Sequence, residues 1–298
     1  MVVPIADDGS GLLHLLEVDG ANWGPVPSVG GGWGIADVIE EPSPTGVKKR
    51  PGPPRWGELE LRLALPVARP VFDWIASSWK GDVRARNLVV TTVDLGGKVL
   101  RRREFRDAFL AAATIPTLDS SPDMDLLALR FVSQAARTTM PSGTVPLPTR
   151  PRLGPLFPRL ELPGLDCTHV GRIDEFTVRQ AFGSVSGDLR AGLEPGLLSF
   201  PNLTVTLGST SATFATDWQQ WFENFVVRGY HDDANEKTGT LTLVDQQQRA
   251  VVRIGLFNVG IFRLTGPTYE VYSSVEGPRL MTQVVAGLYC ERMEFTLP

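Results

Sequence analysis

The sequence predicts a mainly β protein: two tandem β-barrel or sandwich domains, each with one short flanking helix. The first observation is a repeat. Phe72–Phe109 returns, altered but in the same order, at Thr216–Ile261. Each copy opens on Asp-Trp (Asp73-Trp74, Asp217-Trp218), passes a charged stretch, and runs an alternating strand into Val-Asp (Val93-Asp94, Val244-Asp245). The tryptophans lie 144 positions apart and the aspartates of Val-Asp 151, which places a small insertion around His231–Lys237. Such a period is far too long for a solenoid and reads as a duplicated domain. The second observation is that strand-type alternation dominates while helical spacing is scarce. The third is 30 Gly and 24 Pro among 298 residues, which suits many short strands and turns. That length holds two domains of roughly 130–150 residues.

In chain order, Met1–Gly11 reads as a polar lead and Leu12–Asp19 as the first strand. A Gly-rich turn follows at Gly20–Gly24, and Pro25–Gly34 leads into a second strand, Ile35–Glu40. Glu41–Gly57 carries five prolines and reads as an exposed loop longer than most connections. Glu58–Leu65 alternates as a half-buried strand. Val71–Trp79 has the spacing of a short helix, with Phe72, Ile75 and Trp79 on one face. Asn87–Val93 and Lys98–Phe105 form a hairpin across Asp94–Gly97, and strands at Phe109–Thr117 and Leu126–Ser133 complete domain 1–137. Residues 138–165 are proline-rich and read as a stiff linker. Domain 166–298 repeats the plan: a long strand at His169–Gln180, a Gly-rich stretch at Ser184–Gly196, and Leu203–Leu207 matching Leu59–Leu65. A helix at Thr216–Phe225, a hairpin of Thr240–Val244 with Val251–Leu256, and a last strand at Gln283–Thr296 complete it.

Composition narrows the function. A hydrophobic content of 42% and a charged content of 21% are those of a soluble globular chain. The net charge of −4, with 29 basic against 33 acidic residues, argues against specific nucleic-acid binding. No signal-peptide pattern and no apolar run of about 20 residues is present, so no membrane insertion and a cytoplasmic start are expected. Cys167 and Cys290 are too few for a disulfide framework and read as free thiols.

The residues offer no catalytic, cofactor or metal constellation. His14, His169 and His231 lack ligand spacing. Asp232–Glu236 lacks the glycine and periodic oxygens of a calcium loop and reads as a solvated insertion. Gly30–Gly32 has no following Lys-Ser/Thr, no Gly-x-Ser-x-Gly elbow occurs, and Glu40-Glu41 is a solvated strand end. The runs Lys48-Lys49-Arg50 and Arg101-Arg102-Arg103 read as interface ion pairs or a solvated face. Trp74 and Trp218 read as core plugs. Trp79 and Trp221 are expected at interfaces, where tryptophan is favoured. The candidate assembly surface is therefore Trp23, Trp33, Lys48, Lys49, Arg50, Trp56, Trp79 and Trp221.

The segment LLEVDGANWGPVPSVGGGWGIADVIEE resembles the opening of contractile-tail tube proteins: a strand into Asp-Gly, a Gly-rich turn, Ser-Val-Gly-Gly, then a strand into acidic residues. KKRPG, ELELRL, FDWIASSW, VVTTVDLGGKVL, REFRDAF and TLDSSPD follow in the family's order, so the resemblance spans Leu12 to about Ser133. The second half, ending LYCERMEF, resembles the family more weakly and lacks the Asp-Gly and Gly-Gly opening. The family includes inner tubes of contractile phages, R-type bacteriocins, extracellular contractile injection systems and the type VI secretion tube. The resemblance implies tube-type β-barrels with a flanking helix, six copies closing a ring by lateral sheet pairing, and stacked rings. For two fused domains it implies a baseplate hub or tube initiator in which three chains make a pseudo-hexameric ring, or a hexamer spanning two rings. Its partners would be tube, spike and baseplate proteins of one phage-tail-like particle, assembled in a bacterial cytoplasm without catalysis. Loop Glu41–Gly57 would reach a neighbouring ring. The other reading is a ligand- or carbohydrate-binding β-sandwich pair, with Trp23, Trp33 and Trp56 as platforms.

Overall fold

Alternation of apolar and polar residues builds most of the first sheet. Strand β1 (Leu12–Val18) turns through Asp19-Gly20, both at positive φ, into β2 (Ala21–Val26). Gly20–Gly24, expected as a turn, is thus mostly strand. Short strands β3 (Ser28–Gly31) and β4 (Gly34–Ile35) precede a hairpin of β5 (Val38–Ser43) and β6 (Gly46–Pro51), then β7 (Arg55–Trp56). The segment Glu41–Gly57 is therefore not a bare loop. Pro44 stands at the tip and Pro53 and Pro54 follow the paired stretch, while Pro42 and Pro51 lie in this two-stranded ladder opposite Val47 and Val38, where an edge strand tolerates them. Glu40 and Glu41 pair across with Lys49 and Lys48.

Strand β8 (Leu59–Ala64) buries Leu59, Leu61 and Leu63 and turns Glu60 and Arg62 outward. Helix α1 (Arg69–Trp79) starts with a proline in its first turn, which its missing N–H permits. Strands β9 (Arg86–Asp94) and β10 (Val99–Ile115) follow, then β11 (Leu126–Thr139). The sequence reading split β10 in two. Instead one strand of 17 residues runs through a bulge at Asp107, whose φ is +48°, and a bulge bends a strand without ending it.

The second half contains β12 (Phe157–Glu161), β13 (Val170–Ile173), β14 (Phe176–Ser184), β15 (Leu193–Ser199) and β16 (Leu203–Ser209). Strand β12 falls inside the proline-rich stretch 138–165, and the strand expected over His169–Gln180 breaks at Asp174-Glu175. Helix α2 (Thr216–Phe222) continues into a π-helical turn at Glu223–Val227. Strands β17 (Lys237–Val244), β18 (Ala250–Ser274) and β19 (Gly277–Thr296) close the chain. The 25 residues of β18 far exceed the expected Val251–Leu256.

The computed structural model describes residues 11–65, 67–119, 126–147, 156–184, 193–209, 214–274 and 277–297. The lead 1–10, residues 120–123 of TLDSSPD, the centre of the proline-rich stretch and residues 185–192 of the Gly-rich stretch lie outside them. The fold is mainly β, 63% strand and 9% helix, with a nearly closed barrel-like sheet.

The first sheet runs β2-β1-β9-β10-β11-β8-β3, with β14 on β10 and β15 on β14. The second runs β12-β17-β18-β19-β16-β13. Read from β1 and from β12, the two orders correspond strand for strand, and so do the registers. Val29 faces Leu61 and Ile173 faces Val205, both partners shifted by 144. Val93 faces Val99 and Val244 faces Ala250, both shifted by 151. The bulge residues Asp107 and Asn258, 151 apart, share a left-handed backbone at +48° and +54°. The change from 144 to 151 falls between α2 and β17. One apolar core runs through both sheets: Phe72 of α1 stacks on Phe295 of β19 with ring centres 4.3 Å apart.

Candidate assembly surface

The residues singled out from sequence separate into core and surface. Trp23 is buried edge-on against Trp74, and Trp79 is buried against Phe295 and Phe200. Trp221 is buried beside Trp218 and Phe225, with the Lys237 ammonium over its ring. These three tryptophans fill the interior of the chain, which corrects their expected exposure at an interface. Tryptophan's large apolar area belongs in a core whenever its helix face or strand face points inward. Trp74 and Trp218 are core plugs as expected, their indole N–H groups donating to Arg84 O and Asp166 O at 3.3 and 3.1 Å. Trp33, Lys48, Lys49 and Arg50 stay on the surface, with Trp56 half-buried.

Trp33 is 54% exposed yet held in place. The guanidinium of Arg103 lies 4.9 Å from its ring centre and that of Arg101 5.6 Å. Arg103 itself is buried, also faces Phe105, and donates to Gly31 O at 2.8 Å. Burial, helped by the neighbouring Arg101 charge, holds its pKa below the usual arginine value. Gly31 and Gly32, at φ +65° and +69°, make the passage to Trp33 possible. A Cβ on Gly31 would sit 2.0 Å from Glu58 O, and one on Gly32 2.7 Å from the Phe105 ring. The glycine run is thus a steric channel over Phe105, not a phosphate cradle.

Beyond Trp33, the β5–β6 hairpin stands away from the core with Val38, Ile39 and Val47 exposed. Ion pairs Lys49–Glu40 (2.6 Å), Arg50–Glu41 and Arg55–Asp37 lace its two arms. Lys49 and Arg50 are thereby matched by acids of the same hairpin, Lys48 stands opposite Glu41 in its ladder, and Arg102 pairs with Glu17 and Glu104.

The second surface feature is a junction between the two halves. Strand β9 stops pairing with β10 at Ala108. From Ala112 to Ile115 the same edge of β10 is taken by β14, with Ala112 opposite Arg179, Ala113 opposite Val178, Thr114 opposite Thr177 and Ile115 opposite Phe176. The Thr114 and Thr177 hydroxyls are 2.8 Å apart, and Phe109 meets Phe182 at 5.3 Å. Small residues at Ala112 and Ala113 let the incoming hairpin lie close. No sequence signal pointed to this junction, because the pairing joins residues more than sixty positions apart.

Other candidates are structural. His14 bonds Thr92 at 3.1 Å, His169 lies 3.9 Å from Asp166, and His231 packs on Phe225. Among the described residues no His/Cys/Asp/Glu group has metal-site geometry. Glu236, expected in a solvated insertion, accepts from Tyr289 Oη at 2.6 Å and Asn258 Nδ2 at 2.8 Å. Burial, with that carboxylate alongside, raises the Tyr289 pKa. Cys167 and Cys290 are free, and burial pushes both thiols up. A groove of about 880 Å³ runs along β12, lined in part by Phe157, Leu160, Cys167 and Gln248. No described helix is long and apolar enough to cross a membrane.

No protein-family model and no curated protein matches the chain. Solved structures do. A chain of the extracellular contractile injection system PVC sheath–tube complex in the extended state is 23% identical, covering 43% of this chain and 88% of that one, with a TM-score of 0.38. A chain of the anti-feeding prophage tube-terminating cap is 19% identical over 43% and 88%, TM-score 0.39. A chain of the six-fold symmetrised anti-feeding prophage baseplate is 12% identical over 47% and 98%, TM-score 0.38.

Proposed function

We propose that this chain is a non-catalytic structural component of a contractile, phage-tail-like injection particle, with two tube-type β units fused in tandem. The particle class comes from the resemblance carried by Leu12–Ser133. The duplication is supported by equal strand orders and by register shifts of 144 and 151 that hold through bulges and turns. The observation that carries the assembly reading is the β10–β14 junction, where one unit adds its hairpin to the sheet edge of the other. Fusion presets that contact at high effective concentration. Three chains then supply six units to a ring, as a hub between a hexameric tube and a threefold spike requires. The ring is assembled in a bacterial cytoplasm and meets tube, spike and baseplate proteins of the same particle.

The placement of its three tryptophans does not favour the ligand-platform reading. Trp23 is buried, Trp56 is half-buried, and Trp33 has Arg101 and Arg103 against its ring. Light scattering with negative-stain microscopy tests the proposal: rings of three chains support it, and a monomer at every concentration overturns it.

A further inference from the structure

The internal correspondence bears on the β4–β7 hairpin, which among the described residues joins no larger sheet. In the second half, β14 and β15 pair with Arg179 opposite Ser199. Shifted by 144, these positions are Ile35 and Arg55, and they too face each other, in the β4–β7 pair. The outward arms of the two units are therefore the same hairpin in the same register. One pairs with the other unit's sheet; among the described residues the other pairs with no further strand. The acceptor is also duplicated. Ala112–Ile115, shifted by 151, is Arg263–Gly266. The irregularity before it recurs, between Leu110 and Ala112 and between Ile261 and Arg263. On Arg263–Thr265, β19 occupies one edge, and β17 has ended at Val259. Among the described residues nothing pairs with the other edge, the edge that β14 covers in the first unit.

Resting on the tube-type reading above, we infer that Gly32–Ile35 of one copy pairs antiparallel with Arg263–Gly266 of a second copy. The register is Ile35 opposite Arg263, Gly34 opposite Leu264, Trp33 opposite Thr265, and Gly32 opposite Gly266. Three features support this occupant. Exposure is complementary: Ala112, Ala113 and Ile115 are buried under β14, whereas Arg263, Thr265 and Gly266 are exposed, as are Trp33 and Ile35. Bulk is exchanged: where Ala112 and Ala113 receive Arg179 and Val178, the large Arg263 and Leu264 receive Ile35 and Gly34. Direction is preserved: each unit gives its hairpin to the preceding unit and receives the next one's. The contact is head-to-tail, which propagates into a closed ring when the rotation permits, and it uses an open sheet edge as its template.

Cysteine cross-linking of the full chain tests the register, in a Cys167→Ser, Cys290→Ala background. Paired cysteines in adjacent strands fall within disulfide reach. Chains carrying Ile35→Cys are mixed with chains carrying Arg263→Cys and oxidised mildly. A covalent dimer of the two different chains is expected as the main product on a non-reducing gel. Ile35→Cys mixed with Leu264→Cys, one residue out of register and on the opposite face, is expected to give at least tenfold less. Ala112→Cys with Arg179→Cys in one chain is the control, forming its bond internally. Control bond present, oligomers seen by light scattering and no Ile35–Arg263 product overturn this contact while leaving the tube-type reading intact. Control bond present with monomers throughout and no product overturns both.

Discussion

Arg103 sits between Trp33, Phe105 and the carbonyl of Gly31, and so ties the base of the outward hairpin to the first sheet. Arg103→Met keeps most of the packing but removes the charged hydrogen bond to that carbonyl. The expected loss is about 1–3 kcal/mol in urea unfolding, and a change below about 0.5 kcal/mol contradicts the assigned role. A second residue is legible as a turn builder. Asp94 Oδ1 accepts from Gly96 N and Lys98 N, both at 2.9 Å, and Asp245 Oδ1 accepts from Gln247 N and Arg249 N at the same distances. For Asp245, burial pushes the carboxyl up, but bonds from the Arg249 backbone and side chain and from Gln247 together outweigh it. Its pKa lies below the ordinary 3.8. A carboxylate depressed in the folded state contributes stability that is full above the unfolded value and disappears as pH falls through the folded one. The urea midpoint of the wild type should therefore fall on acidification below about pH 4 more steeply than that of Asp245→Asn. Parallel curves for the two proteins contradict this.

The Val-Asp motif was visible in the sequence because its chemistry is local: a carboxylate closing its own turn. Helix α1 was visible for the same reason, since Phe72, Ile75 and Trp79 recur at helical spacing and all face the core. The full lengths of β10 and β18 were not visible. Bulges at Asp107 and Asn258 interrupt the alternation that marks a strand, while the ladder continues past them. The hairpin over Val38–Pro51 was hidden by its prolines. It touches little but itself, with Gly52 N donating to Asp37 O at 2.7 Å across its base. Replacing Val38–Pro51 by a two-glycine link should leave the thermal midpoint within about 4 °C and preserve rings while abolishing ring-on-ring stacking. Loss of the fold, or stacking without the hairpin, contradicts its assignment as an exposed arm.

Across the whole molecule, the scarcity of helix is legible in the sequence, which also reads as two domains, 1–137 and 166–298, joined by a stiff proline-rich stretch. The two halves share one core, with α1 of the first half packed on β19 of the second and β14 of the second on β10 of the first. Trp79 escaped because its burial depends on Phe200 and Phe295, partners more than a hundred positions away. Side chains that plug such a junction look like surface anchors until the other half is in place. In the proposed assembly, one lateral contact lies within the chain and the matching contact joins Gly32–Ile35 of one copy to Arg263–Gly266 of the next. Mass by light scattering, with negative-stain images of the same sample, tests this most directly. The expected result is a species three times the 32.5 kDa chain, seen end-on as a ring of six similar lobes. A monomer at all concentrations, or a ring holding six chains, would contradict it.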